Sequence, residues 1–407
     1  MELKPGYKQT EVGVIPKDWR LSTIGSVSTI FGRIGFRGYT KNDIVKEGQG
    51  AIALNPSNVR QNKLVLDKCT YITWQKYHES PEIKIDVGDV ILVKTGSTTG
   101  KTCYVSHLPI EATLNPQMVV FKKAQANRRL LSYIFATPIF LDQIAATIVG
   151  GALPTLSQKQ VASYRIPLPP TLAEQEAIAG ALSDADALID SLEQLIAKKR
   201  LLKQGAMQDL LTGKKRLPGF EGEWEETRMG TVLTFQAGFP FGSAFFNQDG
   251  QGLRLVRNRD LKGNGEITSY SGDYSQSFVV DDGDVLVGMD GEFVPCLWKK
   301  GKALLNQRIG RIVPKEGLDP VFTFYRLAEP LREIENTTAG TTVKHLSHRD
   351  VEEIRMPLPK KPEQTAIAAI LSDMDVENAA LEAKLAKARQ VKQGMMQELL
   401  TGKTRLV

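Results

Sequence analysis

EQEAIAGALSDADALIDSLEQLIAKKRLLKQGAMQDLLTGKKRL (residues 174–217) aligns without a gap on EQTAIAAILSDMDVENAALEAKLAKARQVKQGMMQELLTGKTRL (residues 363–406), and more than half of the positions are identical. A match of this length marks an internal duplication, and reading it sets the architecture. From Ile178 a 4-3 spacing picks out Leu182, Ala185, Ile189, Leu192, Ile196, Lys199, Lys203, Ala206 and Leu210. In the second copy it picks out Ile367, Leu371, Met374, Asn378, Leu381, Leu385, Ala388, Lys392, Met395 and Leu399. The spacing predicts two helices of roughly 40 residues, about 60 Å long at 1.5 Å per residue, each with a coiled-coil-like stripe and polar interruptions. A helix so sparse in core layers is marginal alone, so the two stripes are expected to bury against one another within the chain. Pro170, Thr171 and Pro362 punctuate the helix starts, and Gly213 and Gly402 the ends. Gly205 and Gly394 fall inside, each costing about 1 kcal/mol against alanine. They read either as local flexibility or as the close approach of a partner helix.

Outward from these helices the repeat loosens but continues. IPLPP (166–170) matches MPLPK (356–360), GALPTLSQ (151–158) matches GTTVKHLSH (340–348), and VGDVILVK (87–94) matches DGDVLVGM (282–289). Trp19 and Trp224 each stand six residues before a glycine. The chain therefore divides into a globular segment over 1–165, a helix within 166–217, a second globular segment over 218–355 and a second helix within 356–407. The globular segments consist of short β-branched runs bounded by turns, among them residues 64–74, 89–93, 118–121, 277–289 and 308–314. Each also has a shorter helical stretch toward its end, 127–146 and 319–335. The expected class is α+β.

Composition bounds the function. With 407 residues, 42% hydrophobic and 24% charged, the chain is long enough for two or three cores. The first residues lack a signal-peptide core and no run of 18 apolar residues occurs, which makes a cytoplasmic location the expectation. Three cysteines and four histidines are too scattered for a metal site; His345 and His348 form one close pair without further ligands. A formal charge of +6 permits an anionic partner. TGSTTGKT (95–102) imitates a phosphate-binding loop, but Gly96 and Gly100 are one residue too close and short apolar runs follow instead of a helix. Its match in the second copy, MDGEFVPC (289–296), has lost the lysine and gained Asp290 and Glu292. Neither Asn55-Pro56-Ser57 nor Asn115-Pro116-Gln117 completes a base-methylation motif, and Glu82-Ile83-Lys84, half of a nuclease motif, is not repeated. Two copies that keep their scaffold and vary their loops look like readers of different targets, with no catalytic residue in either.

Basic residues emerge at the turns. In the first half these are Arg33, Arg37, Arg60, Lys63, Lys94 and Lys101, with Thr98 in the glycine loop. In the second they are Arg254, Arg257, Arg259, Lys262 and Arg308. Asn55, Asn58, Gln61, Asn62, Asn258 and Gln307 lie among them; amides suit base edges, Arg suits guanine and Lys suits phosphate.

Taken in order and twice over, IPKDW (15–19), GDVILVKTGSTTG (88–100), LPTLSQKQVASYRIPLPP (153–170), GDVLVGMDGEF (283–293), LNQRIGRI (305–312) and the two EQ-to-LLTGK helices resemble the DNA specificity subunit of type I restriction-modification systems. The resemblance covers essentially the whole chain. It implies two target-recognition domains joined by two long antiparallel helices forming an intrachain coiled coil, each domain reading half of an asymmetric bipartite site in double-stranded DNA. The helices are implied to act as a ruler: a span of about 60 Å exceeds one turn of B-DNA, roughly 34 Å. They are also implied to dock two methyltransferase subunits, with restriction subunits joining for cleavage. No cofactor is expected in this chain; S-adenosylmethionine, ATP and Mg²⁺ are expected in the partner subunits. Leu195, Leu202, Met207, Leu211, Met396 and Leu400 are the expected partner-docking residues. Two alternatives remain at this point: a stand-alone sequence-specific DNA-binding protein, and an enzyme using the 94–102 loop on a phosphorylated substrate.

Overall fold

In the computed structural model, which describes residues 5–33, 38–148, 154–263, 265–337 and 344–406, the long helices run Leu172–Leu210 and Lys361–Leu399. Each has 39 residues, hence a length of about 58 Å. The Thr171 hydroxyl caps the first by accepting the Glu174 N–H at 3.2 Å. Past their ends, Gly213 (φ +71°) and Gly402 (φ +70°) take the left-handed conformation that glycine reaches without strain. Gly205 and Gly394 have open space where a Cβ would stand, so within this chain they do not mark a close helix approach.

The chain forms two compact units. One comprises Met1–Leu192 and Lys384–Val407, the other Glu193–Ala383. Each thus holds one globular segment with the first part of one long helix and the last part of the other. Inside each unit the two helical parts are antiparallel. Lys392 pairs with Asp186 at 2.6 Å in the first unit; in the second, Lys199 pairs with Glu377 at 2.6 Å, and Lys203 pairs with Asp375. The 4-3 stripe is the inward face. Ile178 and Leu182 pack with Leu399 in one core, Leu210 with Ile367 and Leu371 in the other.

The first globular segment contains a six-stranded sheet in the order Thr29–Gly32, Met118–Lys122, Val90–Val93, Thr102–Tyr104, Lys63–Leu64, Val59–Arg60. A five-stranded sheet follows the order Lys84–Ile85, Ala112–Leu114, Ala51–Leu54, Thr70–Ile72, Ile44–Val45. Strand periodicity explains why the VILV run is apolar throughout. Val90 and Leu92 face the core shared with the helices, while Ile91 and Val93 face a second core that also takes in Ile52, Leu54 and Leu114. The second segment repeats the plan with a four-stranded and a five-stranded sheet: Val285 and Val287 point to the helix side and Leu286 to the other. The stretch expected to be helical over 127–146 is two helices, Arg128–Ile134 and Pro138–Thr147, bent by 62°. Pro138 has no N–H to continue the first and opens the second at its first turn. Among the described residues no single helix is long and apolar enough to cross a membrane.

The duplicated EQ and TGK-x-R-L motifs have a structural role that spacing alone did not disclose. Gln175 Oε1 accepts the Asn127 N–H at 2.9 Å and its Nε2 donates to the Pro169 carbonyl at 3.0 Å, tying the helix start to the globular segment. Gln364 does the same with the Asp319 N–H at 2.9 Å and the Pro359 carbonyl at 2.8 Å. The neighbouring carboxylates are buried and each meets an arginine from the end of the other copy's motif. Arg216 grips Glu363 at 2.6 and 2.7 Å while lying over Trp224, and Arg405 holds Glu174 while lying over Trp19.

Candidate nucleic-acid interface

Strand register gathers several loops at one rim of the first unit. Val93 pairs with Met118, and Val119 with Gly32, so two strands end and a third begins at the same edge. Leu54 and Leu114 run parallel and end together, with the Asn115 N–H donating to the Leu54 carbonyl at 2.9 Å. The segment after residue 153 is added by Leu156 N–H to the Lys94 carbonyl at 2.8 Å and Gly96 N–H to the Pro154 carbonyl at 3.0 Å. Arg33, Asn55, Lys94, Thr98, Lys101, Asn115 and Gln117 therefore lie in loops meeting at this rim. Asn55 is fixed there by Asn115 Nδ2 at 2.9 Å and Thr70 at 3.0 Å.

The glycine loop is a hairpin turn and not a phosphate cradle. Val90–Val93 turns back into the strand Thr102–Tyr104. The N–H groups of Gly96, Thr99, Gly100 and Lys101 already donate to the carbonyls of Pro154, Gly96, Val93 and Thr98. Donors used inside the protein cannot also wrap a phosphate, which removes the geometric basis for a phosphate-binding enzyme at this loop.

The second unit builds the same rim with other side chains. Gly291 N–H donates to the Lys344 carbonyl at 3.0 Å, and Leu346 N–H to the Met289 carbonyl at 2.8 Å, as at Gly96 and Leu156. The short helix Asn258–Lys262 follows the strand Leu253–Val256, and Asn258 Nδ2 donates to the Asp290 carbonyl at 2.8 Å. Asp290 also pairs with Arg308 and meets His345 Nδ1 at 2.9 Å. Burial pushes its carboxyl up, but the hydrogen bonds from His345 and Arg308 outweigh this and leave it below the usual carboxylate range. Phe239, whose carbonyl accepts the Gln307 N–H at 3.0 Å, is exposed at this rim.

The expected contact residues separate accordingly. Lys94 and Thr98 are half-buried at the first rim and Lys101 is exposed there; Arg259, Lys262 and Arg308 are exposed at the second. Lys262 is paired with Glu292 at 2.6 Å. Arg254 and Arg257 converge on the fully buried Asp260 at 3.4 and 3.5 Å, so part of their charge is spent inside the protein. Arg33 requires correction: it is 4% exposed, its guanidinium donating to the Leu114 carbonyl at 2.8 Å and to the Thr113 hydroxyl at 3.0 Å, so it holds the fold together. Asn58 is likewise buried, donating to the Val65 and Lys68 carbonyls. Lys63 pairs with Asp190 on the first long helix, and its strand partner Tyr104 lies opposite Val90, at the far end of the sheet from the rim. Arg60 sits in that same hairpin, paired with Asp67 at 2.9 Å. Arg37 lies outside the described residues. Of the expected docking residues, Leu195 and Leu202 are exposed and Met207 and Met396 are partly buried against the cores. Leu211 and Leu400 are 6% and 1% exposed and belong to those cores, a correction that follows from their place in the helix-end packing. Gln117, Phe239 and His345 carry no local sequence signal that places them at the rims; long-range pairing does so, as in the Lys94 N–H donating to the Gln117 carbonyl and in His345 meeting Asp290 from 55 residues away.

Two copies of one scaffold with different rims also have counterparts among known proteins. The family described as type I restriction modification DNA specificity domain matches twice, over residues 16–199 and 221–390. The type I restriction enzyme EcoBI specificity subunit of Escherichia coli is 36% identical across 44% of this chain and 39% of its own length. The MjaVIII specificity subunit of Methanocaldococcus jannaschii is 27% identical across 80% of this chain and 81% of its own. Among solved structures, the type I restriction-modification S subunit from M. genitalium aligns over 98% of both chains with a TM-score of 0.64 at 14% identity. A chain of a type I R-M system solved for its complex assembly covers 96% of this chain and 99% of its own, with a TM-score of 0.53 at 20% identity. With the family matched over most of its length and in both copies, this chain belongs to the type I restriction modification DNA specificity family.

Proposed function

We infer that this chain is the DNA specificity subunit of a type I restriction-modification complex. Each unit reads one half of an asymmetric, bipartite site in double-stranded DNA through its rim, and the long helices hold methyltransferase subunits, with restriction subunits joining for cleavage. The observation that carries this reading is the pairing of sameness and difference. The backbone bonds that build the rim recur, Gly96 with Pro154 and Gly291 with Lys344, while the side chains change from Thr95, Gln117 and Thr155 to Asp290, Arg308 and His345. A catalyst duplicated in this way would keep its reactive groups; a reader of two half-sites need keep only the frame. The exposed Leu195 and Leu202 support a partner on the first long helix. Methyl transfer with S-adenosylmethionine, and cleavage with ATP and Mg²⁺, are assigned to the partner subunits and not to this chain.

The test is a methylome of a host expressing the assembled complex. A bipartite, asymmetric methylated motif that disappears when this chain is omitted is the expected result; methylation unchanged without it would refute the reading. Shortening both long helices in step is expected to alter the spacer while preserving both half-sites.

A further inference from the structure

One rim position is held by the same backbone bonds in the two units yet carries different chemistry. In the first, Asn115-Pro116-Gln117-Met118 is a turn closed by the Met118 N–H donating to the Asn115 carbonyl at 3.1 Å, and the Gln117 carbonyl accepts the Lys94 N–H at 2.8 Å. In the second, Asn306-Gln307-Arg308-Ile309 is closed by the Ile309 N–H to the Asn306 carbonyl at 2.9 Å, and the Arg308 carbonyl accepts the Met289 N–H at 2.9 Å. The leading asparagine side chain caps each turn, accepting from Gln117 N–H at 2.7 Å where Pro116 has none to give, and from Gln307 N–H at 2.9 Å. Gln117 and Arg308 are thus equivalents, each third in a turn that faces the glycine loop.

Each side chain keeps polar groups available, by a different route. Among the described residues the Gln117 amide group has no hydrogen-bond partner; it lies beside Gly96, where an added Cβ would stand 3.6 Å from its Nε2. The Arg308 side chain is 61% exposed and anchored through Nη1 by Asp290, which is only 16% exposed and is itself held by His345. Among the described residues nothing pairs with the Nε and Nη2 edge of the guanidinium. Thr95 stands where Asp290 does, and a neutral amide needs no counter-charge.

A carboxamide offers one donor beside one acceptor, the complement of adenine N6 and N7, and a guanidinium edge offers two parallel donors, the complement of guanine N7 and O6. We propose that Gln117 and Arg308 are the equivalent base-reading residues of the two units, Gln117 taking an adenine and Arg308 a guanine in the major groove, with Asp290 the positioning residue for Arg308. This rests on the DNA-specificity reading above.

The test uses the assembled methyltransferase complex and a competition panel of duplexes in which each base pair of both half-sites is replaced in turn. The wild type is expected to show one G·C pair in the second half-site whose replacement by A·T weakens binding about tenfold or more. Arg308→Gln should abolish or invert that preference and leave every other position unchanged. Arg308→Lys, which keeps the charge without the fork, should abolish it too, and Asp290→Asn should weaken discrimination at that position alone. Gln117→Ala should remove one A·T preference in the first half-site. An Arg308→Gln profile identical to wild type overturns the proposal, as does uniform weakening on every duplex, the mark of a phosphate contact. A wild-type complex with no half-site selectivity would instead overturn the parent reading.

Discussion

The Glu174 side chain is 2% exposed and the Glu363 side chain 3%, and a carboxylate so placed survives only with a matched cation. Arg405 supplies it for Glu174, with a second fork onto Asp18 at 3.0 Å through both terminal nitrogens. Arg405→Ala is expected to destabilise the first unit by about 3 kcal/mol, because the buried Glu174 would be left unpaired; denaturant unfolding measures this. Arg405→Lys should recover only part, having lost the planar fork. The Arg405 hydrogen bond holds the Asp18 carboxyl below its usual range. A lowered carboxyl contributes stability above its ordinary value and loses it as pH falls through the lowered one, so this smaller, half-exposed share should fade below about pH 4. Both arginines are readable in the sequence as the last charge of a repeated motif. Their partners, 231 residues away for Arg405 and 147 for Arg216, are not, because nothing local to an arginine says which carboxylate will be buried beside it.

At the scale of the element, the long helices were the most legible part of the chain, since a 4-3 spacing repeated over 39 residues admits few other conformations. Even the polar interruptions are informative. Lys203 and Lys392 sit in the stripe because each reaches an aspartate that also accepts a tyrosine hydroxyl, Tyr325 to Asp375 at 2.6 Å and Tyr133 to Asp186 at 2.7 Å. Asn378 differs: it is 8% exposed, and its Oδ1 has no partner among the described residues. Asn378→Ile, which restores the residue type of its counterpart Ile189, is expected to stabilise by about 1 kcal/mol or more. Gly205→Ala and Gly394→Ala meet open space and should each add about 0.5–1 kcal/mol, seen as a higher midpoint in thermal unfolding. What spacing could not settle was which apolar residues remained outside. Leu202 and Leu211 are the same residue type on one helix and its end, yet Leu202 lies off the inward stripe, beside the stripe residue Lys203, and is exposed, whereas Leu211, just past the helix end, lies in a core with Met229, Leu233 and Leu358.

For the whole molecule, the duplication revealed two similar bodies, but the rims depend on long-range strand pairing that no local pattern encodes. Basic residue type selected Arg308 and Lys101 at the rims together with Arg33, which is internal, and Lys63, which pairs with a helix. Register separated them. The same long-range organisation makes residues 384–407 part of the unit that begins the chain: Leu399 and Leu400 lie in its core, and Tyr7 donates to the Gly402 carbonyl at 3.0 Å. Deleting residues 384–407 is expected to raise amide hydrogen exchange across residues 5–192 more than across 218–355, as followed by mass spectrometry. Equal loss in both would show that the two units unfold as one.

This arrangement also orders events during biosynthesis. A ribosome emits the first head long before it emits the segment that seals it, whereas the second unit is drawn from the continuous stretch 193–383. The unit begun second can therefore mature first, and the unit begun first must wait, incompletely sealed, until residues 384–407 have been translated.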